Sequence, residues 1–168
     1  MDINQANASF AAMLRKQDKA LISAIQRLLR ERPFTLDPGV SPETVDAIHF
    51  EYDWESFAPV AIPLNTRSGY CGRGLPLALP SPLIPPDVDA ALTDAMDDED
   101  DDFCDELREK MTETYIAWFQ AAWRDARAAN RDVRGFLSVH DTVWRTDLDL
   151  SLIHISSRPA PCPPPSAA

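Results

Sequence analysis

Glycine is scarce in this chain, 5 residues in 168, and cysteine scarcer still at 3. Cys71, Cys104 and Cys162 are odd in number, widely spaced and without a C-x-x-C pair. Neither a disulfide framework nor a zinc knuckle is indicated, and reduced thiols are expected. The few glycines fit neither G-x-G-x-x-G nor the phosphate-cradling P-loop with its lysine, so nucleotide binding has no support and no cofactor is expected. Long apolar runs are missing too, since proline or charge interrupts each one, which argues against a membrane-spanning helix. The opening Met1-Asp2-Ile3-Asn4-Gln5 lacks the basic and apolar regions of a secretory signal, so a cytoplasmic protein is expected. Positive charge is in the minority, with 16 Lys and Arg against 27 Asp and Glu for a net charge of −11. Nucleic acid and anionic membranes need clustered cations, so neither is an expected partner.

What is present suffices for one core. A chain of this length, 45% hydrophobic, buries roughly two-thirds of its unfolded surface as a single domain, here read as residues 1–149. Phe10, Leu14, Leu21, Ile25 and Leu28 recur at helical spacing over about 7–30, and Pro33 closes that helix. From 44 to 55 the pattern alternates, with Ile48, Phe50, Tyr52 and Trp54 on one face and His49, Glu51 and Asp53 on the other, as in a strand with one wet face. Residues 58–64 alternate as well, with Pro59 and Pro63 on one parity, which suits a sheet edge. Residues 65–86 hold Gly69, Gly72 and Gly74 and then five prolines, and read as a long irregular loop running into an acidic segment up to 102. A short helix is expected after Pro86, through Val88 and Leu92. Leu107, Met111, Tyr115, Phe119, Ala122 and Ala126 predict the main core helix over about 102–129, followed by strands at 136–140 and 143–148 joined at Asp141-Thr142. The expected class is α+β, two amphipathic helices on a small, mainly antiparallel sheet of about four strands.

Charge is concentrated. Between Asp87 and Glu109 lie 12 acidic residues and one basic, Arg108, so this stretch alone nets −11 and the remainder balances. Within it, Asp97, Asp98, Glu99, Asp100, Asp101 and Asp102 invite a calcium loop, but the sixth and twelfth positions would be Asp102 and Arg108 where glycine and glutamate are needed. The bland reading is a solvated helix start, where carboxylates favour the dipole. The functional reading is an acidic patch for a basic protein partner, with Trp118, off the centre of its helical stripe, as an aromatic anchor.

His49, Glu51 and Asp53 share one strand face, an arrangement a divalent metal or an acid–base pair could use, although a polar face on an antiparallel sheet is ordinarily just its wet side. His140-Asp141 suggests a dyad, but adjacent strand residues point apart, and Asp141 suits a turn better. A metal-dependent or hydrolytic enzyme using these residues is the alternative to a binding module, and it requires His49 and His140 to approach across the sheet. Cys71 lies between glycines near Arg73, without a base placed beside it.

Three stretches or features of the chain resemble something known. Tyr115-Ile116-Ala117-Trp118-Phe119-Gln120-Ala121-Ala122-Trp123 followed by Phe136-Leu137-Ser138-Val139-His140-Asp141 resembles small uncharacterised bacterial α+β proteins, over residues 105–148. In size, acidity and compartment the chain is similar to immunity proteins that neutralise bacterial toxins, which implies a non-enzymatic role and carries over no site residues. Leu150-Ser151-Leu152-Ile153-His154-Ile155-Ser156 resembles a translated sequencing-adapter peptide, which implies a natural end near Asp149. Five prolines between 159 and 165 predict a disordered tail in any case.

Overall fold

The computed structural model describes residues 1–80, 82–129, 132–142 and 144–150. Of the expected tail over 150–168 all but Leu150 lies outside them, as does the expected strand residue Val143.

Helix α1 (Ile3–Lys16) starts at a capping box, in which the Asp2 carboxylate accepts from the Gln5 backbone N–H and the Gln5 side chain reaches back to Asp2. Sequence spacing predicts one helix through to Arg30. Instead the chain breaks at Gln17, and α2 (Asp18–Glu31) follows. The break lets Phe10 and Leu14 of α1 and Leu21, Ile25 and Leu28 of α2 all enter the core, although α1 packs on two later helices and α2 mainly on one. Periodicity alone could not show that the two halves of the stripe have different neighbours.

Strands β1 (Ala47–Tyr52) and β2 (Val60–Asn65) form an antiparallel pair. The two-residue strands β3 (Gly69–Tyr70) and β4 (Leu75–Pro76) flank β2 on its other side. β3 pairs with Leu64 and Asn65, and β4 with Val60 and Ala61. The ladder is interrupted near Pro63, which offers its carbonyl to the Cys71 N–H at 3.0 Å but has no N–H to give back. Residues 65–86 are therefore less irregular than expected. Gly72 bridges to Leu36 there, in a position where a Cβ would run into the Thr35 carbonyl.

Helix α3 (Pro86–Asp97) is the short helix expected through Val88 and Leu92; it opens on a proline in its first turn and runs on to Asp97. Helix α4 (Asp101–Ala126) buries all six residues of the expected stripe, with Cys104 and Trp123 as well. Strand β5 (Arg134–Val139) then lies parallel to β1, and β6 (Thr146–Asp147) antiparallel to β5.

The architecture is α+β: the described residues form four α-helices and a mixed sheet of six strands ordered β3-β2-β1-β5-β6, with β4 also on β2. This corrects the expected two helices and four mainly antiparallel strands. The central β1–β5 pair is parallel because α3 and α4 intervene and return the chain to the same end of the sheet. Ile48, Phe50, Tyr52 and Leu137 face the helices; Phe50 meets Phe119 at 4.9 Å and Tyr52 meets Tyr115 at 4.5 Å between ring centroids. No helix among the described residues is long and apolar enough to cross a membrane.

At Gly135 the sheet touches α4 directly. A Cβ there would lie 2.6 Å from the Trp123 ring, which is fully buried and tied by its N–H to Asp149 at 2.8 Å. Gly135→Ala is therefore expected to destabilise the fold by about 1–3 kcal/mol through overpacking. The unfolding midpoint in urea reads this directly; an unchanged midpoint would mean that the indole can retreat.

Candidate functional site

Two surfaces concentrate the chemistry the sequence singles out. The first is the elbow between α3 and α4. Asp97 ends α3, and Glu99 takes a left-handed φ of 57° to turn the chain. Asp100 caps α4 by accepting from the Phe103 N–H at 3.1 Å, and Asp101 and Asp102 occupy the first turn, where the helix dipole favours them. All six side chains from Asp97 to Asp102 are exposed.

The basic residues of the first two helices do not neutralise this ridge. Arg27 and Arg30 both pair with Glu31. Arg108, within the acidic stretch, lies 3.9 Å from Asp105, and Lys110, just after it, lies 3.6 Å from Glu106, neither reaching the elbow. A hollow of about 730 Å³ continues the acidic surface down α4, lined by Trp54, Glu55, Asp105, Arg108, Glu109 and Glu113.

Trp118, the expected anchor, lies elsewhere. It is half-buried, packs on Tyr115 and Phe119, and donates its indole N–H to Asp18 of α2 at 2.7 Å. The aromatic side chain beside the acids is Trp54, 38% exposed. Sequence alternation places Trp54 on the core face of β1, but the strand stops at Tyr52. The Asp53 carboxylate ends it in an Asx turn, accepting from the N–H groups of Glu55 and Ser56 at 2.9 and 2.7 Å.

The second cluster lies on the sheet face turned away from the helices. This face was expected to be wet, yet His49 is only 1% exposed and Ser138, on β5, 6%. His49 Nε2 and Ser138 Oγ are 2.8 Å apart, and His49 Nδ1 and the Tyr70 hydroxyl oxygen 2.7 Å. Tyr70 donates its proton to Glu51 Oε1 at 2.9 Å. Because the Glu51 carboxylate only accepts, Tyr70 has no second proton to offer, so the proton between Tyr70 and His49 belongs to Nδ1. Nε2 is then a bare acceptor, and the Ser138 hydroxyl donates to it. Arg145 adds a bond to the Tyr70 oxygen at 3.2 Å.

Burial, and then the charge of Arg145, push the His49 pKa down to about 4 against the opposing pull of Glu51. Burial would raise Glu51, but hydrogen bonds from Tyr70 and His140, with the charges of the two histidines, outweigh it and hold the carboxyl below its usual range. His140 is raised, chiefly by its bond to Glu51 and then by the charge of Asp141.

Of the residues considered for catalysis or metal binding, the structure brings His49 and His140 together on Glu51, at 3.4 and 3.2 Å. Asp53 is held in its turn instead, so the set His49, Glu51 and Asp53 does not converge, and among the described residues no group of three His, Cys, Asp or Glu is placed to hold a metal. His140 follows the end of β5 and Asp141 adopts φ 60°, which brings its carboxylate to 3.5 Å from His140 Nε2; the opposition expected of a regular strand does not apply. The Thr142 hydroxyl closes the reversal on the Val139 carbonyl. Cys71 is buried, with its thiol on the Gly69 carbonyl. Sequence reasoning missed Ser138, Tyr70 and Arg145, which carry no local motif.

No family model matches the chain, and neither does any curated protein or solved structure.

Proposed function

We propose that the chain is a binding module that offers its α3–α4 elbow to a Lys- and Arg-rich protein, as an immunity protein would to a basic toxin. The supporting observation is that Asp97 to Asp102 are exposed and without a cationic partner on the opening helices, next to an acidic hollow carrying an exposed Trp. Carboxylates in this arrangement attract a cationic partner over several ångströms and raise the encounter rate. The Trp54 indole suits the stem and charge of a seated Lys or Arg through apolar and cation–π contact.

Salt dependence tests the reading. Association with a captured basic partner is expected to slow at least about tenfold between low and physiological ionic strength, because the Debye length falls from about 30 to about 8 Å. Changing the six elbow acids to their amides should reproduce that loss at low salt, while Trp54→Ala should mainly speed dissociation. Binding that ignores both salt and the amide substitutions removes the elbow as the docking surface.

A further inference from the structure

We propose that Ser138 and His49 form a nucleophile–base pair for small esters, and that Tyr70 is the gate that covers it. The proposal goes beyond the docking reading and does not depend on it. Its basis is the direction of the hydrogen bonds. The Ser138 hydroxyl, at 2.8 Å, aims its proton at the unprotonated Nε2 of an imidazole whose tautomer is fixed from behind by Tyr70 and Glu51. The Glu51 carboxylate itself lies 3.4 Å from Nδ1 and takes over that proton when Tyr70 moves away, so that hydroxyl, neutral imidazole and ionised acceptor then stand in the order of an activated serine.

Tyr70 shuts the site. Its ring lies parallel to His49, tilted by 5° with 5.6 Å between centroids. It stands on a two-residue strand that pairs only with Leu64 and Asn65, directly after Gly69, whose φ of 98° makes a turn that glycine favours. Nearly half of Tyr70 faces solvent. Apart from this short pairing, the side chain is held by its hydroxyl, through Glu51, His49 and Arg145, and by its ring, which stacks on His49 and has the Arg145 guanidinium over it, 5.4 Å from its centroid. The charged groups around His49 are thus Glu51 on its own strand and Arg145 beyond Tyr70, with His140 on the far oxygen of Glu51.

While covered, the imidazole resists protonation and is a weak base. Moving Tyr70 admits water and returns the group toward its ordinary basicity. In the open state, Ser138 Oγ bonds to the carbonyl carbon of the ester and its proton passes to Nε2. That proton leaves with the alcohol as the C–O bond breaks. Water then attacks the acyl carbon and gives its proton to Nε2, and Ser138 recovers that proton as the acid departs.

A fluorophosphonate probe tests the pair, because labelling forms an O–P bond at Ser138, breaks P–F, and sends the hydroxyl proton through His49 to the departing fluoride. In the wild-type chain, slow labelling confined to Ser138 is expected. Tyr70→Ala should accelerate it about a hundredfold, and adding His49→Gln should remove that gain, the usual scale for a placed base. Tyr70→Phe keeps the ring but frees it from Glu51, and should give an intermediate rate. The His49 ring protons, followed by NMR, should titrate near 4 in the wild type and closer to 6.5 in the Tyr70 variants. No labelling of Ser138 in the wild type after prolonged exposure overturns the pair, as does labelling unaffected by His49→Gln. Folded Tyr70 variants that label at the wild-type rate overturn the gate.

Discussion

Replacing Phe57 with alanine is expected to cost about 3–5 kcal/mol of stability, as for other fully buried aromatics, and to loosen the Trp54 side of the proposed docking surface. Phe57 lies in the connection between β1 and β2, yet it is 1% exposed. Its ring meets Phe10 of α1 at 4.9 Å, Tyr115 of α4 at 5.2 Å, Tyr52 of β1 at 5.3 Å and Trp54 at 6.3 Å. One loop residue therefore joins two helices and the sheet.

The backbone of Phe57 is left-handed, with φ 54°, because the Asp53 turn directs its N–H to the Asp53 carbonyl. For a residue with a Cβ that conformation costs about 1–2 kcal/mol, and aromatic burial outweighs it. A glycine comparison separates the two terms. Phe57→Gly removes the ring and the strain together, so it should be less destabilising than Phe57→Ala by about 1 kcal/mol, the reverse of the usual order in regular structure. Urea unfolding of the pair measures this, and an alanine variant equal to or more stable than the glycine variant would show that the turn is relaxed. Acrylamide quenching of Trp54, in chains where the other tryptophans are replaced by phenylalanine, should rise in both variants.

The sequence signals differ in what they could reveal. The α4 stripe was legible because a long helix buried along one side repeats its apolar residues at a fixed spacing. Alternation likewise identified which residues of β1 share a face. It could not say whether the second face is covered, since the cover over His49 comes from Tyr70 on β3, Ser138 on β5 and Arg145 beyond it. Parallel pairing of β1 with β5 was not legible, because residue patterns do not give strand order or direction, and a mainly antiparallel sheet was expected. The acidic elbow was plain in composition, and its exposure follows from its charge. Trp118 and Trp54 exchanged expected roles for a local reason: a helix stripe does not show that Asp18 of another helix will bond an indole, and a strand pattern does not show where an Asx turn will stop it.

Acidification provides the second large effect. Unfolded, His49 binds a proton at its ordinary pKa of 6.5; folded, burial holds it to about 4. The folded state thus excludes a proton that the unfolded state accepts, so stability is complete above pH 6.5 and falls as the pH drops from there to about 4. The gap of about 2.5 units corresponds to roughly 3 kcal/mol at 1.36 kcal/mol per unit. Glu51 acts in the same direction, because its folded pKa is also lowered, but it protonates below the ordinary carboxyl value, so pH 6.5 to 4.5 chiefly reports His49. His140 acts oppositely. Its folded pKa is raised, so its contribution is present below 6.5 and is lost as the pH rises through the folded value. His140→Gln removes that opposing slope. In this background, urea unfolding at steps between pH 7 and 4.5 should show stability declining with acid, and His49→Gln should flatten the decline while lowering stability at neutral pH. Equal slopes with and without His49 would mean that water reaches the imidazole in the folded chain, and that Tyr70 does not seal it.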